Sequence, residues 1–138
     1  SIYAFVDILT NGDVESKKNA CKVVTLITDG PVGLVIQMLN LNVIPTVASF
    51  LESDDIKLID QSLEFFMKLA KSCCYEFGYP IQSDMENSNL YYLIDQIIYS
   101  TDDDEEGRYK EISQKAEVTK KAILENIFQV DNQEKEEV

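Results

Sequence analysis

The chain has 138 residues, 45% of them hydrophobic and 27% charged, so it can bury a core and is not a disordered chain. Its five glycines and three prolines are too few for the turn-dense pattern of a β-sandwich or β-barrel. The net charge of −13 repels the phosphate backbone of nucleic acids and favours basic protein partners, although acidity can also serve solubility alone.

The composition also argues against several kinds of chemical site. There is no histidine, the usual general base and the commonest metal ligand. The cysteines are Cys21 and the adjacent pair Cys73 and Cys74, a set with no C-x-x-C spacing, so we expect free thiols in a reducing compartment. No apolar run reaches the length of a membrane span and no signal peptide opens the chain, which predicts a soluble intracellular protein.

The chain opens with two amphipathic segments on either side of a polar break. Phe5, Ile8 and Leu9 have the spacing of one helical face, and residues 11–13 (Asn-Gly-Asp) can end this helix and cap the next. The apolar stripe of the second helix consists of Ala20, Val24 and Ile27.

The segment from Val32 to Leu41 is apolar nearly all round and predicts a short buried helix. Asn42 tolerates the left-handed conformation that a sharp turn between helices requires. Pro45 then lies in the first turn of a new helix, where a missing N–H costs nothing.

The apolar pattern of residues 2–28 returns in residues 44–70 at a constant offset of 42 positions. The acidic break returns with it, at residues 52–55 (Glu-Ser-Asp-Asp). Armadillo and HEAT repeats have periods of about 40 to 47 residues, so this spacing indicates a helical repeat made of a short, a medium and a long helix. The long helix of the second copy carries the stripe Ile59, Leu63, Phe66 and Leu69.

A degraded third copy follows. Gly78, Pro80 and Asn87 favour a loop from Phe77 to Ser88. Two further amphipathic helices are indicated by Leu90, Leu93, Ile94, Ile97 and Ile98 and by Val118, Ala122, Ile123, Ile127 and Phe128. Between them we expect an exposed acidic loop that consists of Asp102, Asp103, Asp104, Glu105 and Glu106. This loop is a candidate contact for partners, although charge runs of this kind are usually only solvated.

These patterns predict an all-α fold, a right-handed armadillo-type α-solenoid of about two and a half repeats. Residues 1–30 would hold the second and third helices of a partial repeat, and residues 31–75 a complete repeat. Residues 76–130 would form a divergent capping repeat, and residues 131–138 an acidic, frayed tail.

Three strings resemble the last repeats of the importin-α (karyopherin-α) family. They are residues 42–51 (NVIPTVASFL), 17–30 (KKNACKVVTLITDG) and 62–69 (SLEFFMKL), and the resemblance covers residues 2–75 well and the remainder weakly. It implies that the chain is the C-terminal part of a nuclear import adaptor, present in cytoplasm and nucleus. Its partners would be the exportin CAS and a nucleoporin, while signal-bearing cargo would be held by upstream repeats.

The resemblance also assigns groove positions. The family carries a Trp and, four residues later, an Asn on its groove helices, and the matching positions here are Lys22 and Leu26, then Glu64 and Lys68. The chain contains no Trp, and a cationic Lys22 would repel a basic peptide. These repeats therefore depart from the pattern that holds a nuclear-localisation signal.

Two other classes of function stay open. A generic armadillo scaffold that binds an extended or basic peptide would share the same core, because function lies on the groove. An enzyme would need carboxylates on one flexible loop to converge on a metal ion, without a histidine or a Gly-rich phosphate loop. We expect a binding protein with no catalytic residue, metal, cofactor, membrane contact or small-molecule substrate.

Overall fold

The computed structural model describes residues 1–72, 78–100 and 107–128, and within these ranges all regular structure is helical. The prediction of an all-α fold is confirmed. The α-helices are α1 (Ile2–Asn11), α2 (Val14–Ile27), α3 (Val32–Asn40), α4 (Val43–Ser49), α5 (Ile56–Ser72), α6 (Gly78–Asn87), α7 (Leu90–Ile98) and α8 (Arg108–Ile123). A 3₁₀ turn (Phe50–Glu52) extends α4, and a π-helical turn (Leu124–Phe128) extends α8.

The polar breaks of the sequence act as helix caps, as predicted. The Asp13 carboxylate accepts a hydrogen bond from the backbone N–H of Ser16 at 2.8 Å, and the Asp55 carboxylate accepts one from Leu58 at 3.1 Å. Each bond satisfies one of the N–H groups that a helix start leaves without an intrahelical partner. Gly12 follows the last residue of α1, at a position with no room for a side chain, because a Cβ there would lie 2.6 Å from the carbonyl oxygen of Ile8.

The segment after α2 is helical as predicted, but it is not buried all round. Only two residues of α3, Val35 and Met38, are buried. Val32, Leu34 and Ile36 keep 40–49% of their surface exposed. The helix packs on α1, α2 and α4 along one side only, so its other apolar side chains face water. Asn42 then turns the chain with φ of 62°, in the left-handed region as expected.

The predicted loop from Phe77 to Ser88 is wrong over most of its length, because Gly78–Asn87 form α6. Pro80 lies in the first helical turn, where the backbone N–H that proline lacks would have no intrahelical partner. Asn87 lies at the last position of the helix. Residues that usually mark a loop thus stand only at the two ends of this helix. Its interior is held by Ile81 and Met85, one turn apart and both fully buried.

The long helix α5 forms the centre of the fold. It packs on α2 along one flank, on α8 along the other, and on α4 behind. Phe65 and Phe66 are both fully buried, and their rings meet edge to face with centroids 5.2 Å apart. Within the described ranges no single helix is both long and apolar enough to cross a membrane. The bent pair of α3 with residues 43–52 meets the length and composition requirements only in combination.

Candidate protein-binding surface

The long helices α2, α5 and α8 lie side by side, with α1, α4 and α7 packed against them from one side. We call the opposite, solvent-facing side of α2, α5 and α8 the long-helix face. On α5 this face presents side chains at helical spacing that are exposed or half-buried, namely Lys57, Gln61, Glu64, Lys68 and Lys71. All four groove positions predicted from the sequence belong to these helices.

Lys22 and Leu26 lie one turn apart on α2, and both are exposed. The Leu26 side chain keeps 71% of its surface in water. A large aliphatic group in this position adds nothing to the core, and it offers a contact that a partner could cover. Lys22 next to it supplies a positive charge on a chain whose net charge is −13.

Lys68 is already engaged within the chain. Its Nζ atom lies 3.3 Å from Oδ2 of Asp29, just past the end of α2. The Ser72 hydroxyl donates a second hydrogen bond to the other oxygen of the same carboxylate. The Ser72 bond, followed by that of Lys68, holds the pKa of Asp29 below its ordinary value. The two contacts tie α5 to the C-terminal end of α2.

Glu64 is engaged on the other flank. Lys115 of α8 reaches between two carboxylates of α5, with its Nζ atom 2.7 Å from Asp60 and 3.0 Å from Glu64. Partial burial acts to lower the pKa of Lys115, but the hydrogen bonds to the two carboxylates raise it above its ordinary value. This contact ties α8 to α5.

A third contact joins the N-terminal ends of α2 and α5. The Lys18 side chain has only 11% of its surface exposed, and it donates to Glu15 at 2.9 Å and to Asp55 at 2.8 Å. The hydrogen bond to Asp55, followed by that to Glu15, raises the pKa of Lys18. Asp55 therefore both caps α5 and pairs with α2.

Beside Lys115 the long-helix face opens into a cleft of about 410 Å³ between α5 and α8. Its lining combines apolar Ile56 and Ile112 with charged groups of both signs, among them Lys57, Arg108 and Glu111. Such a mixed, open lining is typical of a protein contact surface more than of an enclosed small-molecule site. Among the described residues no group of three or more acidic or cysteine side chains is placed to hold a metal ion.

The structure thus places the four groove positions in two different states. Lys22 and Leu26 are open to solvent, whereas Glu64 and Lys68 form ion pairs between helices. The predicted acidic loop, residues 102–106, lies outside the described residues, as do Cys73 and Cys74. Cys21 is fully buried, and burial raises the pKa of its thiol to about 12.

Lys115 and Asp29 were not singled out from the sequence, although both contact the predicted positions. Lys115 follows Glu64 by 51 positions, the same offset that separates Ser113 from Ser62, whose hydroxyls each donate to a carbonyl 15 residues earlier. The 42-residue offset of the first two copies therefore does not lead from Glu64 to Lys115. Nothing in the sequence alone marks Asp29 as a partner of Lys68.

Comparisons of the chain with protein-family models, with curated proteins and with solved structures found no match.

Proposed function

We propose that this chain comprises the C-terminal armadillo-type repeats of a nuclear import adaptor of the importin-α kind, and that it binds transport factors through the long-helix face. The observation that carries the proposal is a set of contacts that recurs from one group of helices to the next. The fold class within this proposal is a right-handed α-solenoid of about two and a half repeats, with α3–α5 and α6–α8 as repeats and α1–α2 as a partial one.

The first recurring feature is the turn between the first two helices of a repeat. Asn42 precedes α4 with φ of 62° and Asn89 precedes α7 with φ of 54°. Within the described residues these are the non-glycine positions with positive φ. The left-handed conformation is costly for most side chains, so its use at both junctions favours one repeated design over coincidence.

The second recurring feature joins the second and third helices of a repeat. The Ser62 hydroxyl of α5 donates to the Val47 carbonyl of α4 at 2.8 Å. The Ser113 hydroxyl of α8 donates to the Ile98 carbonyl of α7, also at 2.8 Å. Both bonds span 15 residues, and the acceptor is the fifth residue after Asn42 in one pair and the ninth after Asn89 in the other, so the same type of contact recurs about one helical turn further along. Stacked repeats of one design are the basis of a solenoid, in which each unit contacts its neighbours.

The nature of the partner follows from the open part of the long-helix face. The exposed Leu26 side chain can bind an aliphatic side chain of a partner, and Lys22 beside it attracts an acidic residue of that partner. The charge of Lys22 would repel the basic residues of a nuclear-localisation signal. Glu64 and Lys68 are held in ion pairs, so these two positions brace the repeats against each other. We therefore expect the exportin CAS or a nucleoporin as partner, and nuclear-localisation signals to be held elsewhere in the adaptor.

A binding assay with a matched variant tests the proposal. The immobilised chain is offered exportin CAS together with Ran in its GTP and GDP forms, and we expect retention with the GTP form. Leu26→Asp should weaken retention about tenfold, the effect of losing one central anchor. The control is Tyr99→Asp, since Tyr99 is 74% exposed but follows α7, behind the long-helix face.

Two results would contradict the proposal. No retention of CAS or of a nucleoporin under either nucleotide condition would remove the transport function. Retention of an extended basic peptide in the same assay would then favour the generic armadillo scaffold. Equal loss with Leu26→Asp and Tyr99→Asp would show that the long-helix face is not the contact.

A further inference from the structure

A second cleft lies away from the long-helix face, where α4 and its 3₁₀ turn meet α6 and α7. It has a volume of about 450 Å³, and we call it the outer cleft. One wall is a single face of α4 and its extension, with Asn42, Pro45 and Glu52. The other wall is the corner between α6 and α7, with Asp84 and Tyr92.

The described lining of the outer cleft is acidic. It includes the carboxylates of Glu52 and Asp84, and no Lys or Arg is found among these described lining residues. By contrast, the cleft between α5 and α8 contains Lys57, Arg108 and Lys115 beside its carboxylates. Neither Glu52 nor Asp84 has a side-chain hydrogen bond or an ion pair among the described residues. Their charge is therefore available to a ligand.

The remaining side chains of the outer cleft suit a flat cation. Tyr92 keeps 62% of its surface exposed, so its ring face can receive a cation. Asn42 and Asn89 line the same cleft, and neither makes a side-chain capping bond to its helix. Their side-chain amides add hydrogen-bond acceptors to the lining of this cleft.

We propose that the outer cleft binds an arginine side chain of a protein partner. A guanidinium is planar, donates up to five N–H bonds to acceptors on separate walls, and stacks on an aromatic ring, whereas an ammonium is a compact point charge. The wall from Asn42 to Glu52 runs for about 15 Å at 1.5 Å per helical residue, which suits a segment of chain better than a small free cation. That the arginine belongs to a protein rests on the proposed function.

The probe is a blocked pentapeptide, Gly-Ser-Arg-Ser-Gly, titrated into the ¹⁵N-labelled full chain. We expect backbone amide shifts at residues 42–52 and 84–93. Replacing the arginine by citrulline keeps the shape and removes the charge, and it should weaken binding about tenfold or more, the effect of losing charged hydrogen bonds. The lysine peptide should bind with intermediate affinity.

Variants of the chain test the assignment of the walls. Glu52→Gln with Asp84→Asn should weaken the arginine peptide about tenfold. The matched control is Glu117→Gln with Glu125→Gln, which changes the net charge equally on exposed positions of α8 and the turn after it, and it should change affinity less than twofold. Tyr92→Ala should weaken binding about threefold and Tyr92→Phe should leave it unchanged, as a cation–π contact requires.

Several outcomes would overturn the inference. These are equal binding of the citrulline peptide, equal effects of the two double variants, or amide shifts confined to the long-helix face. Spermidine that binds more tightly and displaces the peptide would assign the outer cleft to a free polycation. If CAS is retained but no arginine peptide binds, the inference fails alone. If the peptide binds in the outer cleft but no transport factor is retained, only the proposed function fails.

Discussion

Lys115 offers a direct test of how the third long helix is held. Its Nζ atom contacts Asp60 at 2.7 Å and Glu64 at 3.0 Å, so one side chain joins α8 to two positions on α5. Lys115→Met keeps an unbranched apolar stem of similar length and removes the charge. The substitution therefore isolates the ion pairs from the packing of the stem.

We expect Lys115→Met to lower the free energy of unfolding only modestly, because Lys115, Asp60 and Glu64 are all partly exposed to water. The exposed fractions are 25% for Lys115, 42% for Asp60 and 39% for Glu64. Ion pairs at such sites contribute about 0.2–1 kcal/mol each, so the two together should lower the free energy of unfolding by about 1 kcal/mol. The loss should shrink in 1 M salt, where the Debye length is about 3 Å.

Urea unfolding followed by circular dichroism measures the effect. Lys121→Met is the control on the same helix, because Lys121 is 77% exposed and lies 3.8 Å from Glu125, and it should cost about 0.2 kcal/mol or less. A double-mutant cycle of Lys115→Met with Glu64→Gln should give a coupling of about 0.5 kcal/mol. Equal losses at Lys115 and Lys121, or no coupling to Glu64, would refute the role of this contact.

The pH dependence of the same contact has a defined sign. The pKa of Lys115 is raised in the folded chain, so its contribution is fully present below its ordinary value of 10.5. The contribution is lost as the pH rises through the higher folded value. The difference in stability between wild type and Lys115→Met should therefore stay constant from neutral pH to about 10 and then close.

Three further predictions concern the caps, the turns and the buried thiol. Asp55→Ala should lower the free energy of unfolding by about 1 kcal/mol through loss of the α5 cap. The hydrogen bond from Lys18 lowers the pKa of Asp55, so the Asp55 contribution is present above 3.8 and lost as the pH falls through the folded value. Acid titration of stability should therefore be shallower in Asp55→Asn, and an unchanged profile would contradict this. Asn42→Ala and Asn89→Ala should each cost about 1 kcal/mol in urea unfolding, whereas the glycine variants should stay within about 0.5 kcal/mol of wild type. Equal effects of alanine and glycine would show that left-handed geometry is not the constraint. Cys21 is buried with its pKa raised to about 12, so iodoacetamide at pH 8 should modify it only in urea. Peptide mass spectrometry gives its extent of modification, and rapid labelling of the native chain would contradict its burial.

Local chemistry explains which parts of the fold could be predicted from the sequence. Asp13 and Asp55 cap helices through their own neighbours, so a short window contains all the relevant information. The turn at Asn42 is local in the same way. The α6 helix was missed because Gly78, Pro80 and Asn87 are loop formers in the middle of a segment and are tolerated at its ends. The burial of Ile81 and Met85 favours a helix over a loop in this segment, and that burial depends on contacts with the other helices.

The candidate site was predictable only in part, for a related reason. The spacing of Lys22 and Leu26 on one helix face is visible in the sequence, and both side chains are exposed in the structure, while their role as groove positions stays a prediction. The ion pairs of Glu64 and Lys68 join different helices, with separations of up to 51 positions in the chain. They depend on how the helices cross, which no short window contains. The outer cleft likewise arises from the junction of separate helices.

The central position of α5 has a consequence for motion. With neighbours on both flanks and behind, its backbone can open to solvent only when α2 or α8 separates from it. Amide protons of α5 should therefore exchange with heavy water most slowly, and those of α1 and α8 sooner. A ligand that spans α2 and α8 would close the same routes of opening, so its binding would be detectable as slower deuterium uptake along the whole of α5.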